Sequence, residues 1–310
     1  MNMKKISSKA FFNFLSAFIT ITVLFFLGLK LSKEFSKIDL KSIHFNAYFL
    51  LLSFMFVSLW FSLFSLAYKF ILSRMNESIS LLNSMRIISI STFGRYIPGK
   101  VWSTVGRTIL ADRLGISKRR SFTALIIETF YLVLTGLTFF TISYKYMYEK
   151  STFLLLLFPA TYFLISLVKP DIFISIMNFF LRKFKKERIE IHISIKDSFV
   201  LNGIYMVMWL GFGLQFLFLV KSLGISMNPI FLVSIYPVSW VLGFIVLIIP
   251  SGLGIREGVM VFLLSHSISN SMALTISILS RIQMILSEFL FLFTLIKSNI
   301  LWRKNEKSER

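Results

Sequence analysis

Seven stretches of this chain, 11–31, 47–72, 122–145, 152–168, 198–221, 229–250 and 271–296, are almost unbroken hydrocarbon. A helix needs about 20 apolar residues to cross a bilayer core, and no water is available there to satisfy an irregular backbone. An eighth stretch, 253–268, is shorter and carries Arg256 and Glu257. The pattern predicts an all-α polytopic membrane bundle of about eight segments, two of them broken by Pro and Gly or re-entrant. No Pro-, Gly- or Ser-rich linker interrupts it, so residues 1–310 read as one integral membrane domain ending in a basic tail, 297–310.

Composition agrees. Apolar residues are 56 % of the chain and only 15 % is charged, against about 25 % in a soluble domain. The net charge is nevertheless +20. Basic residues flank the apolar runs, as the positive-inside rule requires, and do not form the face of a soluble nucleic-acid-binding domain. With a cytoplasmic N-terminus and eight crossings, 24 Lys and Arg fall on inside segments and seven on outside ones. Both termini are therefore expected in the cytoplasm. The first apolar run is too long for a signal h-region and reads as a retained helix.

The chain has no cysteine, which excludes thiolate chemistry and disulfides. His44, His192 and His266 are scattered and show no metal-ligand spacing, so neither a metal nor a cofactor is expected. Asp171 to Lys186 has an apolar face (Ile172, Ile176, Phe179, Phe180) and a basic end. It reads first as a solvated connector, the alternative being an amphipathic helix on anionic lipid. The period-two pattern of 189–195 is too brief to define a strand.

Two passages interrupt the apolar pattern. In Gly94-Arg95-Tyr96-Ile97-Pro98-Gly99-Lys100-Val101-Trp102, Pro98 suits the first turn of a new helix, and Gly94 and Gly99 allow close approach of a ligand. Such a helix start presents free N–H groups, and Arg95, Lys100 and Arg107 add full positive charges. In Pro250-Ser251-Gly252-Leu253-Gly254-Ile255-Arg256-Glu257, a span closes and another helix begins, again beside a cation. Broken helices of this kind line ion and substrate sites in transporters. Redirecting turns with snorkelling side chains are the plainer alternative. Four spans lie between the passages, so both helices are expected to start from the same side.

Charge inside the spans is costly, about 2.5–3.5 kcal/mol at mid-bilayer, and demands a partner. Glu128 shares a helical face with Tyr131, Thr135 and Thr138; Ser277, Arg281 and Glu288 form a stripe in the last span. The expected pairs join Arg281 or Arg256 to Glu128, Glu257 or Glu288. Asn202, Tyr205 and Trp209 give a third helix a polar-aromatic face. Ion pairs that fix helix register and a path for a ligand are both compatible with these residues.

The Pro-Gly segment with Arg107 downstream, Glu128, Pro-Ser-Gly-Leu-Gly-Ile-Arg-Glu at 250–257 and Arg281 in the last span resemble the flippase-like transmembrane family, whose best-known member contains the membrane half of lysylphosphatidylglycerol synthase. By position, Pro98, Gly99, Arg107, Glu128, Gly254, Glu257 and Arg281 match its recurrent residues. Trp102, where many relatives have Gly, and Leu132, where an acidic residue is expected, depart from the pattern. The resemblance implies a helical lipid translocase of the cytoplasmic membrane that takes an anionic headgroup and leaves the tails in the bilayer. Its substrate-binding set is then Arg95, Pro98, Gly99, Lys100, Arg107, Glu128, Gly252, Gly254, Arg256, Glu257, Arg281 and Glu288, with no catalytic residue.

The implied partners are the bilayer, an anionic phospholipid or a polyprenyl-phosphate-linked lipid, and either a second copy of the chain or a lipid- or glycan-synthesis protein. The synthase's soluble aminoacyl-transfer domain has no counterpart in these 310 residues, so charging a lipid with lysine is not expected. The alternatives are a membrane-embedded transferase with Glu128 or Glu257 as base, and an accessory protein in lipid-linked glycan or aminoacyl-phospholipid synthesis.

Overall fold

A computed structural model describes residues 45–96, 102–148, 153–183, 188–189, 191–246 and 254–308. The expected first span, 11–31, and Pro98, Gly99, Lys100, Pro250 and Gly252 lie outside the described residues. Among those described there are helices and no strand.

Helix α1 (Ala47–Ser73) packs along its length on α8 (Ile195–Ser222). The two run antiparallel. At one end the Asn46 N–H donates to the Ser222 carbonyl at 2.8 Å, and at the other Arg74 meets Asp197 at 2.8 Å. Local signals set these ends: the Asn46 side chain accepts from the Tyr48 and Phe49 N–H groups, and Ser194 and Asp197 form a reciprocal capping box. Between them, stacking of Trp60 on Phe64 and Phe212 fills the core.

The first interrupted passage is a hairpin of short helices. Helix α2 (Leu81–Thr92) passes through a 3₁₀ turn, Phe93–Tyr96, and α3 (Trp102–Asp112) packs back on it. At 12 and 11 residues, each leg is about half of what a crossing requires. The turn lies tight on the second leg: a Cβ on Gly94 would stand 2.6 Å from the Ser103 nitrogen.

Helices α4 (Lys118–Leu137) and α5 (Phe140–Tyr148) form a continuous apolar path over Lys118–Tyr148. Helix α6 (Phe153–Val168) returns beside α8, where Tyr162 donates to Asn202 and Ser198 to the Ser166 carbonyl, both at 2.6 Å. Helix α7 (Asp171–Lys183) bends away from α6 by 97° and leaves Ile172, Ile176 and Phe179 exposed. The preferred reading of Asp171–Lys186 as a connector is thus corrected to an amphipathic helix over Asp171–Lys183. Its apolar stripe recurs at helical spacing, and Asp171 and Arg182/Lys183 suit opposite ends of the helix dipole.

The second interrupted passage is also a hairpin, α9 (Pro229–Ile245) packed on α10 (Ile255–Leu264). Helix α11 (Asn270–Ser308) completes the bundle. The run 229–250, expected to cross, is instead a 17-residue leg that ends where Val246 turns extended.

That changes the topology. Three helical passages, α4–α5, α6 and α8, separate the two hairpins, which start from opposite ends of the α1–α8 pair. The base of α2 lies by α1 near the Arg74 end, where Ser84 donates to the Ser65 carbonyl. The base of α9 lies at the Asn46 end, with Phe231 stacked on Tyr146. The expectation that both broken helices start from one side is therefore corrected. It failed because hydropathy cannot distinguish a crossing from a hairpin leg of similar length.

Candidate headgroup cavity

The two hairpins meet at one cavity. Arg95 of the first turn, Ser103, Thr104 and Arg107 of α3, and Gly243, Phe244 and Arg256 of the second hairpin border one cavity of about 290 Å³. Trp60 and Phe64 of α1 and Leu125, Glu128, Thr129 and Leu132 of α4 close it. Trp60 is 13 residues from each end of the 27-residue α1, so the cavity lies about 20 Å along that helix from either of its ends.

Among the described residues, three ion pairs surround this space. Arg107 Nη1 donates to Glu128 Oε1 at 2.5 Å, with both side chains buried. The Arg107 guanidinium also lies over the rings of Phe64 and Tyr68, 5.3 and 5.2 Å from their centroids. Arg95 pairs with Glu288 of α11, whose second oxygen accepts from the Tyr96 hydroxyl at 2.9 Å. Arg281, two turns before Glu288, stands 3.8 Å from Glu257. Helix α11 is thus tied to the turn of one hairpin and the start of the other helix leg.

Glu257 does double duty in the first turn of α10. Its other oxygen accepts from the Gly254 N–H at 2.6 Å, and Gly254 sits at φ +82°, where a side chain would be strained. Arg256, 5 % exposed, lies over Tyr236 at 5.2 Å and makes no ion pair among the described residues. Its stem runs across Gly243, where an added Cβ would overlap Cγ of the arginine.

The expected pairs are corrected accordingly. Arg281 does meet Glu257, but Glu128 and Glu288 take their cations from the first hairpin and not from Arg256 or Arg281. Arg95, Arg107, Glu128 and Arg256 line the cavity; Glu257, Arg281 and Glu288 stand behind it; Gly254 shapes the start of α10. The other polar stripes serve packing. Trp209 donates to the Leu132 carbonyl and Thr135 Oγ1, and Tyr131 bonds Ser198, all within about 3 Å.

Trp60, Tyr236 and Gly243 were not anticipated. A glycine inside an apolar helix was the available signal for Gly243, since such a residue marks close approach.

Chemically the cavity is cationic, aromatic and incompletely satisfied. Among the described residues, the Nε atoms of Arg95, Arg107 and Arg256, Trp60 Nε1 and Glu128 Oε2 have no hydrogen-bond partner. Donors in this number invite an anion with several acceptor oxygens, and the carboxylate oxygen invites a hydroxyl or ammonium. No group of three or more potential metal ligands occurs among the described residues.

Residues 13–290 match the family described as the lysylphosphatidylglycerol synthase TM region. The chain belongs to that family. No curated protein matches it. It is therefore a multi-pass membrane protein, all-α, corresponding to the membrane region of a lipid-related protein.

Proposed function

We propose that this chain binds the anionic headgroup of a lipid in the mid-depth cavity and moves it between the leaflets of the cytoplasmic membrane. The supporting observation is the convergence of Arg95, Arg107 and Arg256 with Glu128 on one cavity between two oppositely entering hairpins. Paired charges buried at this depth reduce the barrier that a headgroup meets in hydrocarbon. The 3₁₀ turn Phe93–Tyr96 and the start of α10 at Gly254 stand beside the cavity, where backbone outside regular α-helix is sheltered from lipid tails. The acyl or prenyl chains remain in the bilayer, and the chain itself does no covalent chemistry.

The bound lipid is an anionic phospholipid or a polyprenyl-phosphate-linked lipid. The face bearing Arg74, Arg113, Lys118, Arg119 and Arg120 is assigned to the cytoplasm by the positive-inside rule, and α11 runs toward that face.

Reconstitution into vesicles tests the reading. Wild-type protein should accelerate movement of a fluorescent anionic phospholipid between leaflets, and Arg107→Ala and Arg281→Ala should slow it while remaining folded. Equal rates in all three would refute transport through this cavity.

A further inference from the structure

Among the described residues, the cavity and its immediate support hold four arginines, Arg107 and Arg256 buried and Arg95 and Arg281 half-buried, and three carboxylates. Glu288 answers Arg95, Glu128 answers Arg107 and Glu257 answers Arg281. Arg256 lines the cavity, is 5 % exposed, and has no acid of its own within this set. Its Nε also has no hydrogen-bond partner there.

Other features hold Arg256 in place. Tyr236 provides a ring face beneath the guanidinium, and Gly243 leaves room for its stem. An arginine cannot shed its proton to escape burial, so an uncompensated guanidinium in an apolar bundle calls for an anion from elsewhere.

We propose that Arg256 is the counter-ion of the ligand and that the cavity is charge-matched to a group carrying one negative charge. The preferred headgroup is then a phosphodiester, and a diphosphate, with two or more charges, is disfavoured because its excess charge would be buried without a partner. The inference rests on the headgroup reading of the cavity and adds to it the charge of the ligand and the residue that selects it.

The test uses two probes with one tail: dioctanoyl phosphatidylmethanol, a phosphodiester, and dioctanoylglycerol pyrophosphate. Binding to the purified full chain in nanodiscs is measured by calorimetry, with a thermal melt to verify folding. Wild type should favour the phosphodiester by about tenfold or more. Arg256→Gln should lose about tenfold in phosphodiester binding, and Arg256→Lys, which keeps the charge, should recover part of it.

Glu128→Gln frees Arg107 and raises the site by one positive charge, so preference should move toward the pyrophosphate. Glu288→Gln does the same for Arg95 and replaces it if Glu128→Gln fails to fold. Equal or tighter pyrophosphate binding by wild type, or unchanged preference in a folded carboxamide variant, overturns the charge match while leaving the headgroup reading intact. Failure of both probes to bind wild type overturns both.

Discussion

Gly243 and Arg256 are locked against each other across the turn of the second hairpin: a Cβ on the glycine would occupy the space of the arginine's Cγ. The conflict lies near the root of the side chain, so swinging the guanidinium aside does not relieve it. Gly243→Ala should displace Arg256 from the cavity, slow lipid movement by about tenfold and cost about 1–3 kcal/mol of stability. Transport rate and thermal melt of the variant check this; an unaltered rate would mean that Arg256 does not need its present position.

Arg107 and Glu128 separate the contribution of a pair from that of its charges. Removing either partner leaves the other buried alone, at a cost of about 3–5 kcal/mol. Replacing both by methionine should restore most of the stability, because no lone charge remains, but should not restore lipid movement. A double variant that transports like wild type would assign the pair to packing alone.

Tyr96 and Arg95 both hold Glu288, and they should not be equivalent. Tyr96→Phe removes one hydrogen bond to a carboxylate, about 1.5–3 kcal/mol, and leaves the ion pair. Arg95→Met strands Glu288 and should destabilise more. Unfolding midpoints of the two variants rank them.

Ser53, Gln215 and Gln283 form a buried polar cluster that does not border the cavity: Gln283 Nε2 donates to Ser53 Oγ at 2.6 Å and Gln215 Nε2 to Gln283 Oε1 at 2.7 Å. Gln283→Leu should lower stability by about 1–3 kcal/mol because it orphans its partners, yet leave headgroup preference unchanged. A changed preference would show that the cluster communicates with the cavity.

The residues that sequence reasoning found were those whose burial is costly. Glu128, Arg256, Glu257, Arg281 and Glu288 stand out in apolar runs because an ionised group there must have a structural reason. Of their pairings, Arg281 with Glu257 was among those expected, but the partners of Glu128 and Glu288 were illegible, since Arg95 reaches Glu288 only through the folding back of the first hairpin on α11. The second hairpin was misread for a related reason. Residues 229–250 satisfy the length rule for a crossing, and only the packing of α9 on α10 identifies a returning leg. Helix α7 could have been read as a helix from its apolar spacing, but its 97° bend from α6 is a tertiary property. Gly243 and Tyr236 show no charge and no motif, so their roles emerge only beside Arg256.

Native mass spectrometry of the purified chain addresses occupancy of the cavity without presupposing a substrate. Wild type should leave the membrane carrying a singly charged phosphodiester lipid, and Arg256→Gln should retain markedly less of it at equal folding. Wild type that carries no anionic lipid, or equal retention by the two proteins, would contradict a headgroup site at Arg256.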